Sequence, residues 1–113
     1  VTGVQTCALP ILYVCRPVIH GDHLYAGVCW SKDKEGKRNA NTGFLTILDA
    51  KNKVVSSPGG NAPFYQNGIL QPTLQDASRV FMHGHDVCVD DDENLYVCQW
   101  NANQTPPIKL TRV

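Results

Sequence analysis

Four histidines, His20, His23, His83 and His85, are the side chains of this sequence best suited to hold a metal or move a proton. Neutral imidazole is the commonest metal ligand, and its charge changes near neutral pH. His83 and His85 stand two apart in His83-Gly84-His85-Asp86-Val87-Cys88-Val89-Asp90. If that run is a strand, alternation places His83, His85, Val87 and Val89 on one face. His83 then reads as a partly exposed neighbour of His85, and Asp86 as a side chain that holds a backbone N–H. His20 and His23 flank Gly21-Asp22, the composition of a solvated turn. A catalytic zinc usually has three protein ligands, so one well-placed histidine does not make a site.

Other residues offer weaker chemistry. The run Asp90-Asp91-Asp92-Glu93-Asn94 presents the oxygen ligands that calcium prefers, but it lacks the spacing and closing bidentate glutamate of a dedicated calcium loop and reads first as a charged hairpin turn. Trp30 and Trp100 end two similar apolar runs; they either stack on a sugar or peptide or fill the space between sheets. Cys15, Cys29, Cys88 and Cys98 contain no CxxC pair and read as small buried thiols or as disulfide partners. Asn103-Gln104-Thr105 has the form of a glycosylation sequon, followed by proline. Gly59-Gly60 follows Pro58 and opens no helix, so it is a turn and not a phosphate cradle.

These residues need strands to hold them. His23 to Trp30 reads as a strand, with the charged stretch Ser31 to Arg38 as an exposed loop behind it. Gly43 to Asp49 and Lys53 to Ser56 form a hairpin around Ala50 to Asn52. Residues 61–80 are rich in Gln, Asn, Pro and Gly without clear periodicity; they are expected to form a long connection with one helical turn near Leu74 to Ser78. His83 to Asp90, Leu95 to Trp100 and Ile108 to Val113 are the remaining strands. No sustained helical period occurs, so the expected class is all-β.

The chain repeats itself. A polar turn, Leu-Tyr, and a run ending in Trp occur at His23-Leu24-Tyr25 to Trp30 and again at Asn94-Leu95-Tyr96 to Trp100, the mark of radial repeat folds. The second unit, His85-Asp86-Val87-Cys88-Val89-Asp90, then Asn94-Leu95-Tyr96-Val97, then Lys109-Leu110-Thr111-Arg112-Val113, resembles an NHL repeat of the form HDVAVD, DGN, IYVAD, VQKF. That resemblance covers residues 81–113 well and residues 18–57 more weakly. It implies a six-bladed β-propeller with about four strands per blade, of which this chain would supply about two blades. Glu93 stands where the family's turn glycine is usual, and Asn101 to Pro107 replaces its short link. The expected layout is a blade over 12–60, a connecting loop over 61–80 and an NHL-like blade over 81–113. A blade face lacking its neighbour would leave an apolar patch and a sheet edge.

The resemblance extends to peptidyl-hydroxyglycine amidating lyases, whose propeller channel holds zinc on histidines from different blades. It implies His85 as one zinc ligand; the alternative is an imidazole packed between blades and bonded to backbone. The function expected first is a ligand-binding or protein-interaction scaffold for a peptide, glycan or protein. The alternative is a zinc-dependent lyase-like enzyme, and a third reading is an interaction domain with no propeller. Ten basic and ten acidic residues cancel, which argues against nucleic acid as a partner. No apolar run reaches the roughly 20 residues of a membrane helix. Val1 to Ile11 look like a translated sequencing adapter, which would make the chain a fragment whose true start is missing. The relatives suggest an extracytoplasmic or secreted location.

Overall fold

The computed structural model describes residues 13–32, 35, 37–39 and 41–113. The adapter-like residues 1–11 lie outside the described residues, as does part of the charged stretch 31–38. In chain order the strands are β1 (Val14–His20), β2 (His23–Val28), β3 (Ser31–Lys32), β4 (Arg38–Asn39), β5 (Phe44–Leu48) and β6 (Val54–Ser56). They are followed by β7 (Tyr65–Gln66), β8 (Ile69–Leu70), β9 (Gly84–Val89), β10 (Leu95–Gln99) and β11 (Ile108–Leu110). No described residue is helical, and the chain is all-β. One sheet runs β1-β2-β5-β6 and another β9-β10-β11, both antiparallel meanders, with the β3–β4 hairpin inserted between β2 and β5. The arrangement is that of two propeller blades side by side, with no closed barrel.

The first sheet is apolar on both faces because both are covered. Val28, Phe44, Leu48 and Val54 turn one way, toward Leu70 and Tyr65. Tyr25 and Leu45 turn the other way, where they meet Phe81, Val87, Leu95 and Val97 of the second sheet. In β9 and β10 only one face is buried, so Cys88, Tyr96 and Cys98 stand exposed on the other. This uncovered face is mixed in polarity: the Tyr96 hydroxyl donates to Asp90 at 3.0 Å, and the Lys109 Nζ lies 5.5 Å from the Tyr96 ring centroid.

Three glycines set how closely the sheets approach. A Cβ on Gly27 in β2 would lie 2.8 Å from the backbone C and O of Gly84 and from the His85 N. A Cβ on Gly43 would lie 2.8 Å from Gly84 N and Met82 O. The Gly43 N–H donates to that same Met82 carbonyl at 2.8 Å. Backbone therefore meets backbone, and any side chain here would wedge the sheets apart.

The strand β1 was not expected from the sequence. It is an edge strand, with its register against β2 slipping between Cys15 and Val18. That slip takes up Pro17, which cannot donate to a ladder and belongs at such a bulge.

Residues 61–80 are also more ordered than expected, and no helical turn forms near Leu74 to Ser78. The segment doubles back as an antiparallel arm: Gly60 bridges Gln75, the Asn61 N–H donates to Leu74 O at 2.9 Å, and the Gln71 N–H donates to Phe64 O at 2.8 Å. Tyr65 then pairs with Leu70 and Gln66 with Ile69. The reversal is Asn67-Gly68, both with positive φ (52° and 77°), the requirement of a type I′ hairpin turn. Leu70 and Tyr65 press this arm onto the first sheet, and the Tyr65 hydroxyl donates to Val54 O at 3.1 Å. The chain itself thus supplies cover for the face that would otherwise need a neighbouring blade. Where Leu74 to Ser78 was expected to coil, Asp76 builds a turn by accepting the Ser78 N–H at 2.9 Å.

Candidate functional site: an aromatic shelf over His83

Trp30 and Trp100 follow β2 and β10, the second strand of each meander. Because the sheets meet at Gly27 and Gly84, these equivalent strand ends arrive together. The two indoles stand edge to face, with centroids 5.9 Å apart and planes at 82°. Trp100 is 51% exposed. Tyr13 meets Trp30 edge-on at 5.3 Å, and the Arg38 guanidinium sits 4.5 Å from the Trp30 centroid. These contacts fix the ring planes; the Arg38 guanidinium covers one face of Trp30, and Trp100 is the more open of the two indoles.

His83 is the floor of this shelf. It is 4% exposed, not the partly exposed neighbour that alternation suggests. Its ring lies 5.7 Å from Trp30 and 5.8 Å from Trp100. Nδ1 faces the carbonyl oxygens of Trp100 at 3.0 Å and Asn101 at 3.2 Å, so Nδ1 carries the proton and donates. Nε2 accepts the Asn41 N–H at 3.1 Å. Both nitrogens are thus engaged by backbone from two loops. The backbone N–H groups of Met82 and His83 donate to the Gln99 side-chain oxygen at 2.6 and 3.1 Å, which holds the entry to β9 beside the end of β10.

The expected common face of His83 and His85 does not form. His83 precedes β9, and the β9–β10 register slips between Cys98, opposite Asp86, and Gln99, opposite Gly84. His85 falls within that bulge, which breaks the two-residue alternation. Its side chain is 39% exposed, with Nδ1 4.0 Å from Asp86 Oδ2. Among the described residues Asp86 holds no backbone N–H; it pairs with Arg16 at 3.4 Å. His20 and His23 pair across the turn at Gly21, and His23 lines a cleft of ≈ 490 Å³ between the sheets, together with Tyr25, Leu95 and Leu110. At its rim Arg112 is already ion-paired with Glu93.

The acidic turn is likewise occupied by its own hydrogen bonds. Asp90 Oδ1 accepts the N–H groups of Asp92 at 3.0 Å and Asn94 at 2.8 Å, and Oδ2 accepts the Asn94 amide at 3.0 Å. The Asn94 side-chain bond leads the interactions that hold the Asp90 carboxyl below the usual carboxylate range. Asp49 repeats the design, accepting the Lys51 and Lys53 N–H groups at 2.9 and 3.0 Å, and its carboxyl is also lowered, chiefly by Lys53. The fourth residue of each turn is left-handed, Asn52 at φ 62° and Glu93 at φ 63°.

The chain matches no family model, no curated protein and no solved structure. Its function therefore has to be argued from its own side chains. Among the described residues no three His, Cys, Asp or Glu side chains converge as metal ligands. Both His83 nitrogens are bonded and His85 has Asp86 beside it at 4.0 Å, so the described residues do not by themselves make a three-ligand zinc centre. Nor do the described carboxylates gather into a calcium cage. The shelf is different: it joins exposed aromatic surface to fixed polar neighbours, including the exposed Asn41 and Asn101.

Sequence reasoning named Trp30, Trp100 and His83 but not their meeting, nor the parts of Tyr13, Arg38 and Asn41. The recurrence of Trp at the end of both Leu-Tyr runs was the signal that could have joined the two indoles.

Proposed function

We propose that this chain is part of an NHL-type β-propeller that works as a binding scaffold, with the Trp30–Trp100 shelf as its ligand site and a neutral glycan as the ligand. The observation that carries this reading is the contact of two indoles from different sheets, held over a buried, fully bonded imidazole, with Trp100 half exposed. A sugar ring offers apolar C–H faces for an indole and hydroxyls for nearby amides. Asn41 and Asn101 both lie in left-handed backbone conformations next to the shelf, at φ 59° and 48°. A chain with no net charge suits a neutral ligand better than a phosphorylated one. An extracytoplasmic setting, where glycans are abundant, belongs to the same proposal.

The test is isothermal titration of the chain with neutral β-linked oligosaccharides, such as cello- and chito-oligosaccharides, beside a proline-rich peptide. Saturable glycan binding that weakens at least about tenfold in Trp100→Ala supports the reading, since loss of one stacked ring costs on the order of the free energy of a tenfold change. Binding of the peptide alone, or glycan binding indifferent to Trp100→Ala, overturns it.

A further inference from the structure

Next in sequence to the shelf residue Trp30, Cys29 nearly touches Cys15 of the neighbouring strand. Cys15 Sγ and Cys29 Sγ lie 3.3 Å apart, one in β1 and the other one residue past the end of β2. The local ladder explains the approach. Val14 pairs with Val28 and Cys15 with Gly27, while the Cys29 N–H donates to Tyr13 O at 3.2 Å. The two thiols are therefore diagonal neighbours across an antiparallel pair. Cys15 follows the left-handed Tyr13 (φ 52°) and precedes the irregular Arg16–Pro17 step, where the β1 register slips. A strand end of this kind can take up the approach of about 1.3 Å that closing a bond of about 2.0 Å requires.

We infer that Cys15 and Cys29 are a disulfide-forming pair, closed by thiol–disulfide exchange with a small disulfide such as oxidised glutathione. Cys15 is half-buried and Cys29 is 3% exposed, so the reagent reaches Cys15 first. The Cys15 thiolate attacks one sulfur of the reagent, forming a mixed disulfide and releasing one small thiolate. The Cys29 thiolate then attacks Cys15 Sγ, the new S–S bond forms, and the second small thiolate leaves. The two protein thiol protons end on the two released thiols, the protein loses two electrons, and the reagent gains them. Burial, followed by the hydrogen bond and charge of Cys15, pushes the Cys29 thiol up to about 12. Once Cys15 is capped, its contribution to that rise falls away and Cys29 becomes easier to ionise at the moment it must attack.

The bond would fasten the strand that carries Tyr13 to the residue that precedes Trp30. Tyr13 is 43% exposed and meets Trp30 from the position just before β1. Oxidation thus fixes one wall of the aromatic shelf. Cys88 and Cys98 lie exposed on the far face of the second sheet. This inference stands on the sulfur geometry and does not depend on the ligand.

The experiment treats the full chain with oxidised glutathione, blocks remaining thiols by alkylation, and reads intact mass, disulfide-linked peptides and Tm. The expected result is a loss of two hydrogens, a peptide pair joining Cys15 to Cys29, and a Tm higher by about 10 °C, the order expected when a loop of this length is closed. A variant with Cys7, Cys88 and Cys98 all changed to Ser is expected to behave in the same way, while Cys15→Ser and Cys29→Ser lose the rise in Tm. The inference is overturned if Cys15 stops at the glutathione adduct, if the linked peptides join Cys88 to Cys98 instead, or if Tm fails to rise in the Cys7/Cys88/Cys98 triple variant.

Discussion

Gly27→Ala should separate the two sheets, and its cost can be worked from the contact that it creates. The added Cβ would lie 2.8 Å from three backbone atoms of Gly84 and His85, against a comfortable separation of about 3.5–4.0 Å. Neither partner can swing aside, because both belong to the β9 backbone. Overpacking of this type costs about 1–3 kcal/mol, and a rigid backbone obstacle puts Gly27→Ala near the top of that range. Restricting the unfolded chain returns about 0.5–1 kcal/mol, leaving a net loss of about 2 kcal/mol. For a domain of this size that is a Tm lower by roughly 8–16 °C. Gly21→Ala is the control: its site is also a glycine, with φ 59°, but a Cβ there meets nothing within 4 Å. It should cost about 1 kcal/mol, the lower end of the strain of a left-handed alanine, with no clash added. Urea unfolding followed by tryptophan fluorescence reads both variants, since Trp30 and Trp100 meet where the sheets join. The emission of folded Gly27→Ala should also change, because the wedge lies between β2, which leads to Trp30, and β9, whose partner strand β10 leads to Trp100. If Gly27→Ala unfolds at the parent midpoint, or loses less than Gly21→Ala, the close backbone packing of the two meanders is wrong.

Thr46→Val should stabilise the chain by about 1 kcal/mol in urea melts, because the Thr46 hydroxyl is buried without a hydrogen-bond partner among the described residues and valine keeps its shape. Glu93→Gly should raise stability by about 0.5 kcal/mol, since relief of the left-handed conformation at φ 63° exceeds the loss of an exposed Arg112 ion pair; a lower Tm would contradict this balance. The Asp49 and Asp90 carboxyls are depressed when folded, so their stabilisation is present above the ordinary carboxylate range and is lost as pH falls through the depressed values. An Asp49→Asn/Asp90→Asn variant should therefore show a shallower decline in Tm below about pH 4 than the parent.

Much of the second sheet was legible because one face is buried and the other open. Val87 and Val89, then Leu95 and Val97, alternate cleanly with surface residues. The same rule failed at His83 and His85, since a single bulged residue resets the phase and a sequence pattern carries no mark of it. β1 was hidden for a related reason: an edge strand with Pro17 at its bulge lacks the continuous apolar run of a central strand. The arm over residues 60–75 was different. Asn67-Gly68 between Tyr65-Gln66 and Ile69-Leu70 is a hairpin signal in plain sight, obscured by Pro63 and Pro72, which interrupt the ladder to either side. The shelf could be named in part but not assembled. Trp30 and Trp100 lie 70 residues apart in sequence, and their meeting depends on a sheet-to-sheet contact that only Gly27, Gly43 and Gly84 permit together.

The account turns on whether the two indoles are a ligand site. Two-dimensional ¹H–¹⁵N NMR of the labelled chain during titration with a neutral β-linked oligosaccharide follows both indole Nε1–H signals directly. The account predicts that the Trp100 and Trp30 indole signals move together and saturably, with the amides of Asn41 and Asn101 shifting alongside them. Saturable shifts elsewhere in the chain while both indole signals stay fixed would contradict it.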